Sequence, residues 1–291
     1  MEKIKVAFVM AMHQSTEIRP RGFESVNRYL TSLDDSCMYD YTVFLFDNSS
    51  TEKFPLSNYP NIDIRYTYVE DQTIRGLTGT WNDGVITAFN EGYDRIIVSS
   101  DDLIFNRSLN YLIANIVDDD TIYGPLCQPG GLMAPDSHTF GGNVLDKNMG
   151  KLHPQASDKP IAELIDVTGK GEVGEIPSEG HIIGGFLFGF TRNFYDKYKM
   201  EDGLTFNSGK KYMWGGQECE FQLRLWKKGV RSVLVGASWI YHEKIRSWTY
   251  HEKGKKSEQA LLSDEKVREY QLSWRDRMEQ LPFEEDQNEN N

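Results

Sequence analysis

The sequence predicts an α/β protein: a mostly parallel, twisted sheet flanked by helices, in one large domain with a helical C-terminal extension. Three observations predict it. Short apolar runs of strand length alternate with amphipathic helical stretches through the first half of the chain, the pattern of a parallel sheet covered on both faces. Acidic residues stand directly after two of those runs, at the strand ends where open α/β sheets bind ligands. A Gly-Gly segment followed by acids opens a late helix, which marks a close approach of backbone to a ligand.

The elements follow in order. Residues 6–10 form a short buried-strand run, and 22–33 can form a helix with Phe23, Val26 and Leu30 on one face. Residues 41–46 make the next strand, and 62–69 alternate like a half-buried one. Helical spacing of Trp81, Val85 and Ala88 predicts a helix over 78–90, and 96–98 is another short buried strand. The stretch 124–180 is rich in Gly, Pro, Asp and Lys with little periodicity, so it reads as a long loop of the kind that forms lids or binding walls. Regular signals return with a strand over 184–190, helices over 193–198 and 217–228, and strands over 231–235 and 238–241. Gly229 is suited to cap the second of those helices. These elements fall in residues 1–250; 251–291 is a charged extension, helical in composition to Pro282 and ending in a polar, acidic tail expected to be disordered.

The formal charge of −12 argues against a protein that neutralises nucleic-acid phosphates, which would gather Lys and Arg on one face. Three widely spaced cysteines, Cys37, Cys127 and Cys219, give neither a disulfide framework nor a cysteine-based zinc site and fit a reducing compartment. No apolar run reaches the roughly 20 residues that cross a bilayer, and the N-terminal residues lack the apolar core of a signal peptide. A cytoplasmic protein is the expectation.

Asp47 closes the strand 41–46 and opens the run Asp-Asn-Ser-Ser-Thr-Glu to Glu52. There it can accept hydrogen bonds from a base or ribose, or form an Asx-turn. Ser99, Ser100, Asp101 and Asp102 follow 96–98 at another strand end. Paired carboxylates at such a point can hold a hard divalent cation that bridges a diphosphate, or form a solvated acidic turn. The segment 214–220, Trp-Gly-Gly-Gln-Glu-Cys-Glu, places Glu218 and Glu220 at a helix start, where the backbone dipole favours the ionised form and suits a base or a hydroxyl anchor. His242 stands out from the other histidines only by its order after the acid pair and the Gly-Gly segment.

Together these motifs resemble glycosyltransferase family 2 and its GT-A relatives. The run 47–52 resembles the family's Asp-Asp-Gly-Ser-Thr-Asp, in which the first acid contacts the nucleobase. Arg75-Gly76 and Asn82-Asp83-Gly84 resemble the pattern that ends in Arg-Asn-x-Gly, with Trp81 where that Arg stands. Residues 94–102 are similar to the strand leading into Asp-x-Asp, with Ser100 in place of the first Asp; the register Ser99-Ser100-Asp101 is the alternative, and the sequence leaves both open. Gly184-Gly185-Phe186 resembles the Gly-rich strand lining the sugar pocket. The segment 214–220 resembles the Trp-Gly-Gly-Glu-Asp/Asn stretch of β-1,4-galactosyltransferases and polypeptide N-acetylgalactosaminyltransferases, with Gln217 replacing the first acid and Arg224, Trp226 and Gly229 continuing the latter's pattern. His242 falls where many relatives place a metal-binding His.

The resemblance covers residues 5–248 and implies a GT-A, Rossmann-like fold with a nucleotide-binding half over 1–105 and an acceptor and catalytic half over 106–250. It implies an enzyme that moves a sugar from a nucleotide-diphosphate sugar, a UDP-sugar foremost, onto a glycan, protein or small-molecule acceptor. His13, Asp47, Arg75, Asn82, Ser100, Asp101, Gly184 and Gly185 are the implied nucleotide-sugar contacts, and Trp214, Gly215 and Gly216 the implied acceptor contacts. Asp102 and His242 are the implied ligands of Mn²⁺ or Mg²⁺, with Asp101 in support. Glu218 is the expected base of an inverting reaction, with Glu220 beside it, although the N-acetylgalactosaminyltransferase-like segment belongs to retaining enzymes. A nucleotidyltransferase would need a Gly-rich basic loop after the first strand, whereas 11–20 has no Gly and Arg19 as its one basic residue. A non-catalytic carbohydrate-binding or scaffold protein is the second reading, motivated by Ser99 and Ser100 where acids are expected.

Overall fold

Lys5–Met12 (β1) is apolar at almost every position, which suits a strand buried on both faces, and it lies inside the sheet with Val6 through Met10 fully buried. The structure, a computed structural model, describes residues 3–15, 19–129, 173–175, 183–209, 217–242, 250–251 and 255–256. After β1 come α1 (Gly22–Ser36), β2 (Asp40–Asn48), a 3₁₀ turn at Leu56–Asn58, β3 (Ile64–Val69), α2 (Gln72–Asn90) and β4 (Arg95–Ser99). Then follow β5 (Leu103–Ile104), α3 (Leu109–Asn115), β6 (Thr121–Pro129), β7 (Val173–Glu175) and β8 (Leu187–Thr191). The series closes with α4 (Arg192–Tyr198), α5 (Gln217–Trp226) and β9 (Arg231–His242). Tyr250–His251 (β10) and Lys255–Lys256 (β11) pair antiparallel in a separate ribbon.

Among the described residues the main sheet has nine strands in the order β3-β2-β1-β4-β8-β6-β9-β5, with β7 also on β9. The pairs β1/β2, β2/β3, β1/β4 and β6/β9 are parallel, so six strands share one direction and β5, β7 and β8 oppose them. This is the mostly parallel α/β sheet that the alternation predicts. From β1 the chain steps outward to β2 and β3, then returns to place β4 on the other side of β1. At such a reversal open α/β sheets bind ligands in the crevice beyond the carboxyl ends of the strands, here those of β1 and β4.

Strand alternation divides the core into two layers. Val6, Phe8 and Met10 face α1 and α3 with Val26, Tyr29, Leu30, Leu33, Leu112 and Ile113. Ala7 and Val9 face α2, α4 and α5 with Trp81, Val85, Phe194 and Phe221. Gly84 sets the approach of α2, because a Cβ there would stand 2.3 Å from Val9 Cγ1 and 3.0 Å from Phe46 Cε2. Gly84→Val is expected to cost about 1–3 kcal/mol through overpacking, read as a lower urea midpoint at unchanged slope. An unchanged midpoint would mean that α2 can lift from the sheet freely.

Several expected boundaries move. Gly76, at φ 58° and ψ −168°, kinks α2, so the regular helix begins after it, near the predicted start at residue 78. The two strands expected over 231–235 and 238–241 are one strand, β9. The expected loop over 124–180 needs correction at both described parts: 124–129 belong to β6 and 173–175 to β7. Gly124, Pro125 and Pro129 masked β6, and Pro125 is tolerated where the register with β9 breaks. Pro125 pairs with Val235 and Leu126 with Trp239, leaving 236–238 as a bulge in β9 without a partner on β6.

Candidate functional site

The loop after β1 is laced to the loop after β2 through Gln14. Its backbone N–H donates to Ser50 Oγ at 2.8 Å, its carbonyl accepts from Thr51 N at 2.9 Å, and its side-chain oxygen accepts from Phe23 N at 2.9 Å. Gly22 lets α1 start against this loop, since a Cβ there would lie 2.2 Å from the His13 carbonyl oxygen. His13 Nδ1 is 2.7 Å from the Asn48 carbonyl, which can only accept, so Nδ1 carries the proton. Burial holds the ring below the ordinary histidine pKa, outweighing that hydrogen bond. Asp47 is fully buried, and its carboxylate accepts from Ser50 N at 3.0 Å and from the Tyr66 hydroxyl at 2.7 Å. The first contact is a local turn contact and the second ties β2 to β3.

At the end of β4, Ser99 is fully buried and its hydroxyl meets that of Tyr29 at 2.8 Å. Ser100 N donates to the Phe186 carbonyl at 2.7 Å. Asp101 is held from the far side of the crevice by Arg19, whose two terminal nitrogens reach its two carboxylate oxygens at 2.5 and 2.7 Å. Both side chains are almost completely buried. Burial pushes the Asp101 carboxyl up from the ordinary value, against the opposing pull of the Arg19 guanidinium. Asp102 meets His242 for a reason of register: β5 pairs antiparallel with β9, Leu103 stands opposite His242, and Asp102 Oδ1 comes 3.3 Å from His242 Nε2. The imidazole stacks on Phe186 with centroids 5.0 Å apart, and its buried Nδ1 has no hydrogen-bond partner among the described residues.

The glycines and the start of α5 form the third part. Gln222 acts on Ile183 as a strand neighbour would, accepting from its N–H and donating to its carbonyl, each at 2.7 Å. This fixes the backbone leading into Gly184 and Gly185. A Cβ on Gly185 would stand 2.9 Å from Glu218 Cδ and 3.1 Å from Oε1, so the glycine is what allows the Glu218 carboxylate to lie against this backbone. Glu218 is half-buried, whereas Glu220 is buried and paired with Arg224 Nε at 2.7 Å. Arg224 also donates to the Thr205 carbonyl at 2.9 Å.

The structure therefore brings Asp101, Asp102 and His242 together with 183–186, and His13 with Asp47 at the neighbouring strand ends. Asn82 is engaged elsewhere: it is buried, donates to the Phe206 carbonyl and accepts from Thr205 and Phe206 N–H. Of Arg75 only the backbone, before the kink of α2, is described, and Trp214, Gly215 and Gly216 lie outside the described residues. Sequence reasoning missed Arg19 and Gln222 as organising side chains and met Phe186 only as a member of the Gly-Gly-Phe motif; the lone basic residue of 11–20 was the available signal for Arg19. Among the described residues no group of three or more His, Cys, Asp or Glu side chains is gathered as a metal site, and no helix is long and apolar enough to cross a membrane.

No protein-family model and no curated protein matches the sequence. Solved structures do match in shape. GalNAc-T7, crystallised with UDP, GalNAc and Mn²⁺, superposes with a TM-score of 0.57 at 17% identity, covering 82% of this chain and 43% of that one. TarS 1–349 of S. aureus in complex with UDP gives 0.52 at 13% identity over 82% of this chain and 60% of that one. A second structure of TarS 1–349 gives 0.51 at 10% identity over 94% and 69%. The chain thus spans less than two thirds of the first two structures it matches, and the shared architecture is the GT-A fold.

Proposed function

We propose that this chain is a glycosyltransferase that takes a sugar from a nucleotide-diphosphate sugar, with UDP-sugars the first candidates, and passes it to an acceptor hydroxyl with inversion. The observation that carries the reading is the meeting of Asp102 and His242 beside the crevice of a GT-A sheet. A carboxylate oxygen with an imidazole nitrogen is a donor set that suits Mn²⁺; Asp102 Oδ1 and His242 Nε2 stand 3.3 Å apart, and the buried Nδ1 has no hydrogen-bond partner among the described residues. Asp102 and His242 would hold Mn²⁺ or Mg²⁺, which when bound supplies positive charge for the departing diphosphate.

The remaining work falls to the chain itself. The strand ends carrying His13 and Asp47 would receive the nucleoside, and Gly184 and Gly185 leave room for the donor sugar. Glu218, poised on Gly185 at a helix start, would accept the proton of the attacking hydroxyl. Glu220, paired with Arg224 through Oε1, would support the site beside that base. A second reading, binding of nucleotide sugar without turnover, is favoured by Ser99 and Ser100 at positions where acids are expected and by the engagement of Asp101 with Arg19.

UDP is expected to raise the melting temperature when Mn²⁺ is present and to leave it nearly unchanged in EDTA. At a UDP concentration of 100 times Kd the stabilisation would be about 2.7 kcal/mol. Equal stabilisation in EDTA would sink the cation bridge. A nucleotide-sugar hydrolysis screen with and without Mn²⁺ separates the two readings, since a binding protein would be stabilised and release no sugar.

A further inference from the structure

We propose that Arg19 is the positioning residue of the acidic turn: by gripping Asp101 with both terminal nitrogens it withdraws that carboxylate from the cation and holds the turn so that Asp102 faces His242. The inference rests on the cation reading above and adds a residue outside every motif that led to it. Its basis is geometric. Arg19 and Asp101 are 82 positions apart, and their fork-to-fork contact joins the loop after β1 to the loop after β4 across the crevice. The residues flanking 16–18 are tied to one another: Ser15 and Arg19 exchange backbone hydrogen bonds at 3.1 and 3.3 Å, and the Gln14 side chain donates to the Pro20 carbonyl.

Asp101 and Asp102 are adjacent, so without the Arg19 fork both carboxylates could turn to one cation. With Asp101 neutralised by a guanidinium that never deprotonates, the position of Asp102 is set from three sides. The Arg19 fork holds residue 101, the Phe186 carbonyl holds Ser100 N, and the pairing of Leu103 with His242 holds residue 103. Lysine would keep the charge at position 19 but could not make the two parallel bonds.

The test measures Mn²⁺ affinity by the electron paramagnetic resonance signal of free Mn²⁺, in saturating UDP, together with the melting temperature. The variants are Arg19→Lys and the double replacement Arg19→Met with Asp101→Leu, an apolar exchange of the kind buried ion pairs tolerate. Both are expected to lose about 10-fold in Mn²⁺ affinity, a difference of about 1.4 kcal/mol, while the double variant melts close to the parent. If the double variant melts near the parent and binds Mn²⁺ equally well, Arg19 is a structural staple and the proposal is overturned. If the double variant does not fold, Arg19→Lys decides in the same way. A parent protein that binds no Mn²⁺ overturns the cation reading itself, and the role of Arg19 with it.

Discussion

Arg19→Ala is expected to lower the unfolding free energy by about 3–5 kcal/mol, because it leaves Asp101 buried beside Asp102 without its counter-ion. The attraction within such a pair is largely offset by desolvating both partners, so the pair adds little net stability while its rupture costs much. The loss should be seen in urea unfolding at neutral pH and should shrink in acid, where a raised Asp101 carboxyl takes a proton and no longer needs the guanidinium. The sign follows from the variant alone: an orphaned carboxylate in a dry site titrates above its unfolded value, so the variant regains stability as pH falls through that range. A loss below about 1 kcal/mol would mean that water reaches Asp101 as soon as Arg19 is shortened.

The second large effect concerns the two acids of α5. Glu218→Gln should lower turnover by roughly 10²-fold or more while UDP and Mn²⁺ affinities hold, since the amide keeps the shape of the side chain but cannot accept a proton. Glu220→Gln should act mainly on stability, because it weakens the pair with Arg224 that also anchors the Thr205 carbonyl. Steady-state kinetics on both variants, with the anomeric configuration of the product determined by NMR, check the assignment. Near-normal turnover of the Glu218 variant, or a product with retained configuration, would falsify the general-base role without touching the fold.

Legibility in the sequence tracked how local each feature is. β1 and β4 could be read because strands buried on both faces leave continuous apolar runs, and the face of α2 because Trp81, Val85 and Ala88 keep helical spacing. α3 and β6 could not: α3 has only seven residues, and the glycine and prolines of β6 imitate a loop. Within the site, the order of motifs singled out Asp102 and His242, but nothing local could reveal the contact of Arg19 with Asp101. The grip of Gln222 on Ile183 and that of Asn82 on 205–206 were equally hidden, since their partners are backbone groups, which every residue possesses.

The bulge in β9 has a bearing on how this chain can tolerate insertions and deletions. Side chains on a strand alternate, so residues 233 and 235 should share a side with 239 and 241, not with 240 and 242. Yet Val233, Val235 and Ile240 are all packed in one apolar layer with Leu103 and Phe186. The three residues 236–238, which have no partner on β6, reverse the phase of the strand between them. His242 therefore owes its facing to the count of residues in that bulge: loss or gain of one residue there turns the imidazole to the opposite side of the sheet from Asp102, while every residue of both motifs remains in place. In a lineage of such chains, length at 236–238 would be a sharper mark of a working cation site than the identity of the histidine.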